Sequence, residues 1–446
     1  MKKYIHKLKN KSALGLLAFA FLLASCEVDS LPDPNNQTID TVADNAGIQE
    51  LNNLVVGTES GMRNVLGTYY DNMGVIGREH YRFSGADPRF VQDLLGGSSS
   101  TLNDNTFYTT NPWSARYRIV RNTNILINAA NNSNPALVTE EQKEGYLGFA
   151  KTIKAHQLLM NLTMMNENGI RIDVEDINNL GPVVPKAEAL TAIANLLEEA
   201  KGHLQNAGAS FAFPLSGGFE GFNTPAGFLE FNRALAARVA VYREQFAEAL
   251  TFLEESFLDL SPTGNFSEGV YYVFSNAPGD LLNPLYFAPN ATGEVRVAHP
   301  TFITEATPGD ARLNKVSRRR TPATQGGLTG EYDVALYRSN IERVPLIRNE
   351  ELILIYAEAK IQTGDLAGAA AALNRIRTGN NIGPYTGPVT KEALINEMLY
   401  QRRYSLYFEG HRWIDMRRYN KLNELPIDRA EDDVWVSFPI PFAENL

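Results

Sequence analysis

Apolar residues recur at three-to-four spacing through most of this chain, the spacing that puts them on one face of an α-helix. The segments are Ile48 to Leu66, Ala115 to Ala130, Gln142 to Met165, Glu188 to Gln205, Pro225 to Tyr242, Gln245 to Leu258, Asn349 to Gln362, Leu366 to Arg377 and Lys391 to Phe408. No comparable series of alternating segments predicts strands. The expected class is therefore mainly α.

Two pairs of these helices repeat one another. Ala357, Ala369 and Leu373 stand 12 and 16 residues apart around Gly364-Asp365, and Ala237, Ala249 and Leu253 keep the same offsets around Glu244-Gln245. Small alanines let antiparallel helices approach closely, and the leucine fills the gap to the next hairpin. This resembles the tetratricopeptide pattern, although a plain antiparallel hairpin would show much of it. Between the helical blocks, Tyr69 to Trp113 and Phe211 to Asn223 are rich in Gly, Ser, Asn and aromatics, while Asn265 to Arg338 adds Pro and a basic cluster. Loops this long are expected to be functional, and their aromatics argue for order.

The first 25 residues have the three parts of an export signal: a basic start (Lys2, Lys3, Lys7, Lys9, Lys11), an apolar run from Ala13 to Ala24, and small residues before Cys26. A run of about 12 residues is too short to span a bilayer, which takes about 20. Leu23-Ala24-Ser25-Cys26 resembles a lipobox, in which the cysteine is acylated and becomes the first residue of the mature chain. Cys26 is the only cysteine, so disulfides play no part in the expected fold. Residues 26–45, acidic and Pro/Asn-bearing, are expected to be a flexible tether between lipid and body. The body is then residues 46–446, with an N-terminal part over 46–210 and a C-terminal part over 225–446 that carries inserted loops at 265–338.

The chain has 41 Lys+Arg against 51 Asp+Glu. Removing the leader takes five lysines and no acid, leaving 36 against 51, a formal charge of −15. That balance argues against nucleic acid as a partner.

The most specific block after the leader runs from Pro345 to Lys421. Arg348 and Glu351 precede Ile355-Tyr356-Ala357-Glu358-Ala359; Gly364-Asp365, Asn374 with Arg377, and Arg402-Arg403 follow, then Glu409-Gly410-x-Arg412-Trp413-x-Asp415 and Arg417. This resembles the closing region of the SusD/RagB family, Bacteroidetes surface lipoproteins that capture glycans or other nutrients for a TonB-dependent, SusC-like outer-membrane transporter. Trp113, Tyr117, Ile119 and Asn124, then Gly181-Pro182-Val183-Val184-Pro185 and Phe438-Pro439-Ile440-Pro441, also match family positions. The chain departs at Gln401-Arg402-Arg403-Tyr404-Ser405-Leu406, where the family usually has Glu-Arg-Arg-x-Glu-Leu. Any ion-pair network there must be weaker or rewired. The resemblance implies a lipid-anchored, surface-facing outer-membrane protein that binds a ligand without catalysis.

Helical spacing puts Arg402, Ser405 and Glu409 on one stripe, and the turn after Glu409 can bring Arg412 near it. Glu409 is expected to pair with a partly buried arginine that fixes the last helix; a catalytic acid is the competing reading. No His-Glu-x-x-His pair, phosphate loop, nucleophile elbow or dinucleotide cradle is present, so no metal or cofactor is expected. Two carboxylates across a cleft would suffice for a glycoside hydrolase, and sequence spacing leaves that alternative open. A helical-repeat scaffold that binds only protein is another.

Sugar rings pack C–H faces on aromatics and present hydroxyls to charged groups. Three places offer this: Tyr81, Arg82, Phe83, Asp87 and Arg89 in one loop; Tyr271 and Tyr272 with Asn276; and Trp435. In each, the ring could instead pin a loop to the body. Trp113 and Trp413 are expected in the core. Arg312, Lys315, Arg318, Arg319 and Arg320 form a basic cluster that could favour an acidic glycan or an acidic partner, or simply be solvated.

Overall fold

Helix begins where side chains can satisfy the orphan amides of a first turn. Thr139 and Gln142 form a reciprocal capping box, with the Thr139 amide donating to Gln142 Oε1 at 2.9 Å and the Gln142 amide to Thr139 Oγ1 at 3.3 Å. Thr224, Asp365 and Thr390 accept from amides three residues on, at 3.2, 2.9 and 3.4 Å.

The computed structural model describes residues 45–97 and 101–445. The expected leader, Cys26 and all of the expected tether but Asn45 lie outside these residues. The first half holds α1 (Ile48–Gly61), α2 (Leu66–Ile76), β1 (His80–Ser84), a single turn α3 (Arg89–Gln92), α4 (Phe107–Asn131), α5 (Glu140–Met165), β2 (Ile170–Arg171) and β3 (Val183–Val184). Then come α6 (Lys186–Gln205), α7 (Pro225–Tyr242), α8 (Phe246–Glu254), β4 (Gly269–Tyr272), β5 (Glu294–Ala298), α9 (Pro300–Thr304), β6 (Val316–Gln325), β7 (Leu328–Val334) and β8 (Val344–Arg348). The chain closes with α10 (Asn349–Thr363), α11 (Leu366–Gly379), α12 (Lys391–Ser405) and α13 (Arg412–Arg418).

Each long helix packs on the next in sequence from α4 through α8, and α8 then packs on α10, across the inserted segment. The repeated positions lie where these helices meet. Ala237, Ala249, Ala357, Ala369 and Leu373 are fully buried and Leu253 nearly so. Gly364 closes α10 at φ 91, and Glu244 takes φ 59 between α7 and α8, the left-handed turn that reverses a helix most cheaply at glycine. The fold is mainly α and tetratricopeptide-like.

Two sequence expectations need correction. Ile48 to Leu66 is not one helix: the first helix ends at Gly61, Val65 adopts φ 59, and a second helix, α2, begins at Leu66 and runs into what read as a loop from Tyr69. Strands also exist. They form an antiparallel sheet β1-β5-β7-β6 and the pairs β2-β3 and β4-β8, of which β4 to β7 lie in the inserted region. Every residue of β1 is buried, charged ones included, so no apolar alternation marks it.

The charged stripe near the C-terminus also differs. Glu409 pairs with Arg348, at 2.7 Å and 3.1 Å, rather than with Arg412. Arg348 further bonds Glu350 and the Ser405 carbonyl, the latter at 2.6 Å. Arg402 takes Asp415 at 2.6 Å. Where the family pattern has a carboxylate, the Ser405 hydroxyl accepts from Arg312 at 2.9 Å, and Asp310 supplies the counter-charge at 2.7 Å. The network is rewired.

A polar cleft beside strand β4

The sequence-predicted ligand residues are largely held by the fold itself. On β1, Tyr81 and Phe83 project to one face and stack at 5.6 Å, with His299 against Tyr81 at 5.1 Å. Arg82 projects to the other face, where it meets Asp71 at 3.4 Å and also pairs with Glu294. Phe287 lies against both Arg82 and Arg296, at 4.8 and 4.3 Å. Arg296 grips Asp71 at 2.6 Å, and although burial opposes it, this pairing holds the Asp71 carboxyl well below the usual range. At the exposed end of the same loop, Asp87 and Arg89 pair at 2.6 Å, and Arg89 reaches Thr106 Oγ1 at 2.9 Å. Trp435 donates to the Asp93 carbonyl at 2.8 Å and accepts from Trp413 at its own carbonyl, at 2.7 Å.

The basic cluster, for which an acidic glycan, an acidic partner and plain solvation were all open, is mostly internal. Arg312 is buried against Asp310, Arg319 pairs with Asp333, and Lys315 donates to the Tyr404 carbonyl at 2.8 Å. Arg318, at 74% side-chain exposure, and Arg320 remain at the surface.

Tyr271 and Tyr272 fare differently, because both line an open cleft of about 240 Å³. Its floor comes from Met62, Phe219 and Leu346, and its polar rim from Glu59, Arg63, Ser216 and Asp280. A bulge between Val270 and Tyr271 sets β4 against β8 here. The Ser216 loop approaches so closely that a Cβ on Gly218 would stand 2.1 Å from the Tyr271 carbonyl oxygen. Only glycine fits.

Arg63 pairs with Asp280 at 2.6 Å and donates to the Val273 carbonyl at 2.9 Å and Ser60 Oγ at 3.0 Å. Asp280 also accepts from Ser275 Oγ at 2.6 Å and the Leu281 amide at 2.8 Å, and the Ser275 bond leads in holding its carboxyl low. Glu59 accepts the Ser216 amide at 3.2 Å, while burial pushes its carboxyl up. Apolar floor and fixed donors and acceptors on one rim suit a small polyhydroxylated ligand. Glu59, Arg63 and Asp280 carried no sequence signal, since each is a common residue on a helix end or a turn. Among the described residues no group of three or more His, Cys, Asp or Glu could hold a metal ion.

A mainly helical, tetratricopeptide-like body with a four-stranded sheet and two strand pairs defines the fold class. Residues 299–435 match the SusD family. A SusD-like protein of Formosa agariphila is 27% identical over 214 residues, which is 40% of this chain and 42% of that protein. The match therefore spans under half of that relative's length. A SusD superfamily protein of Bacteroides vulgatus superposes with a TM-score of 0.67 at 17% identity, covering 89% of this chain and 96% of its own. Surface glycan-binding protein A of Bacteroides uniformis superposes at 0.63 and 15%, covering 83% and 88%. The chain is thus similar to the SusD family in sequence over residues 299–435 and shares the fold of SusD superfamily structures.

Proposed function

We propose that this chain is a lipid-anchored, surface-facing outer-membrane protein that binds an oligosaccharide or similar nutrient and passes it to a SusC-like TonB-dependent transporter. The observation that carries the binding reading is the cleft beside β4, with its apolar floor and its rim of Arg63, Asp280, Glu59 and Ser216. The names of fold relatives as glycan-binding and sugar-binding proteins support the ligand class. No described helix is long and apolar enough to cross a membrane, and attachment in this reading rests on Cys26 acylation. The reading is non-enzymatic because both cleft carboxylates are engaged: Asp280 by Arg63 and Ser275, Glu59 by the Ser216 amide. Candidate ligand residues are therefore Tyr271 and Tyr272 with Arg63, whereas Tyr81, Arg82, Phe83 and Trp435 act in the scaffold; Asp87 and Arg89 are left as a solvent-facing pair.

A glycan array followed by calorimetry on the purified chain tests this. Binding of an oligosaccharide without released product is expected, with at least about tenfold weaker affinity for Arg63→Ala. Product release would instead support a hydrolase, and capture of a transporter with no sugar binding would support a protein scaffold.

A further inference from the structure

A small cavity between α5, α6, α7 and α13 has an unusual wall for so acidic a chain. Lys186, Arg417 and Arg418 line it together with Tyr242, and no carboxylate does. Two of the three cations are compensated nearby: Lys186 by Glu167 at 2.9 Å, Arg418 by Glu358 at 2.6 Å and Asp415 at 2.9 Å. Arg417 is not. Its guanidinium donates to the Thr163 and Val436 carbonyls, the latter at 3.2 Å, and lies 3.8 Å over the Trp413 ring, but it has no carboxylate partner among the described residues. The Nε atoms of both Arg417 and Arg418 are buried without a hydrogen-bond partner.

Arg417 is half-buried, with its Nε out of reach of water, and an unpaired guanidinium partly withdrawn from water carries a cost that carbonyl dipoles and a ring face offset only in part. Burial pulls Arg417 down to about 9, so it stays protonated at neutral pH and the charge persists. Unused N–H donors beside an unpaired positive charge form the complement of an anion. Size sets which one: the cavity volume is about 30 Å³, room for a single water-sized species.

We infer that this cavity binds one small inorganic anion of halide size, held by Arg417 with Lys186 and Arg418. The ion would tie α13 to α5 and α6. This inference is independent of the sugar reading.

Thermal melting of the purified chain in sodium chloride or sodium bromide, against sodium gluconate at constant ionic strength, tests it. A saturable rise of about 2 to 4 °C is expected with either halide and none with gluconate, whose ion is too large to enter. Arg417→Gln should abolish the halide response. Lys186→Gln, at a partly exposed side chain, should raise the half-saturating concentration at least about fivefold while the protein stays folded, and this decides the matter where Arg417→Gln does not fold. An anomalous bromide peak in this cavity is expected in crystals grown at saturating bromide. Equal responses to halide and gluconate, an unchanged half-saturation in Lys186→Gln, or no peak at the site would each overturn the inference.

Discussion

At the residue scale, buried charge decides what can be changed. Arg348 is shared between Glu350, Glu409 and the Ser405 carbonyl, and all three side chains are less than 10% exposed. Removing one carboxylate charge leaves a guanidinium short of its partner, which costs about 3 kcal/mol. Glu409→Gln is thus expected to lower the melting temperature while leaving sugar binding at the cleft intact. Lost binding at unchanged stability would put Glu409 in the site instead. Glu79 behaves differently. It is buried, one oxygen accepts the Phe408 amide at 3.2 Å, the other has no partner, and burial pushes its carboxyl up to about 8. Below an unfolded value of about 4.5, both states are protonated and the contribution to stability is complete. As pH rises from there to about 8, the unfolded chain ionises first and stability falls. Glu350 and Glu351, held down at about 2 by Arg348 and Arg238 against the cost of burial, act in the other direction and in another window, losing their contribution below about pH 4.5. Glu79→Gln should therefore flatten denaturant midpoints between pH 4.5 and 8, stabilising most at pH 8. A variant as pH-sensitive as the native chain across that interval would contradict it.

At the element scale, the alanine repeat is where sequence and structure agree most closely. Helices α7 and α8, like α10 and α11, meet through fully buried Ala249 and Ala369, and α8 also packs on α10. Added methylenes there would force the hairpins apart, so Ala249→Leu is expected to cost about 2 kcal/mol in urea unfolding. A stabilising effect would mean that the interface has slack. The long helices were legible because their apolar residues recur at three-to-four spacing, even in α5 and α7, which are buried along most of their length. Helix α2 was not, because Asp71, Asn72 and Gly74 read as turn formers, although Asp71 and Asn72 are buried and Asp71 is held by Arg296. The strands were hidden for a related reason: β1 buries charges that Asp71 and Glu294 neutralise from distant positions. Of the cleft, only Tyr271 and Tyr272 carried a signal, as aromatics in a loop. Glu59, Arg63 and Asp280 become neighbours through the meeting of α1 with the segment after β4, a long-range contact that local spacing does not encode.

At the scale of the whole molecule, the proposal places binding and attachment in separate parts of the chain. The cleft is built entirely from residues between Val56 and Leu346, whereas attachment is assigned to Cys26. The 19 residues from Glu27 to Asn45 could span at most about 60 Å if fully extended, which bounds how far Asn45 could stand from an acylated Cys26. No described helix is long and apolar enough to cross a membrane, and removal of the proposed leader would leave a formal charge of −15, which disfavours approach to anionic lipid. A single acyl chain binds only marginally, and lasting attachment takes more than one. Cys26→Ser should consequently move the protein from the membrane fraction to the aqueous one on detergent phase partitioning, with the melting temperature and the sugar affinity of the chain unchanged. Since the cleft's hydrogen bonds all lie within the body, a variant that lost sugar affinity along with membrane association would show that binding requires a membrane partner. Retention in the membrane would remove Cys26 from the anchoring role.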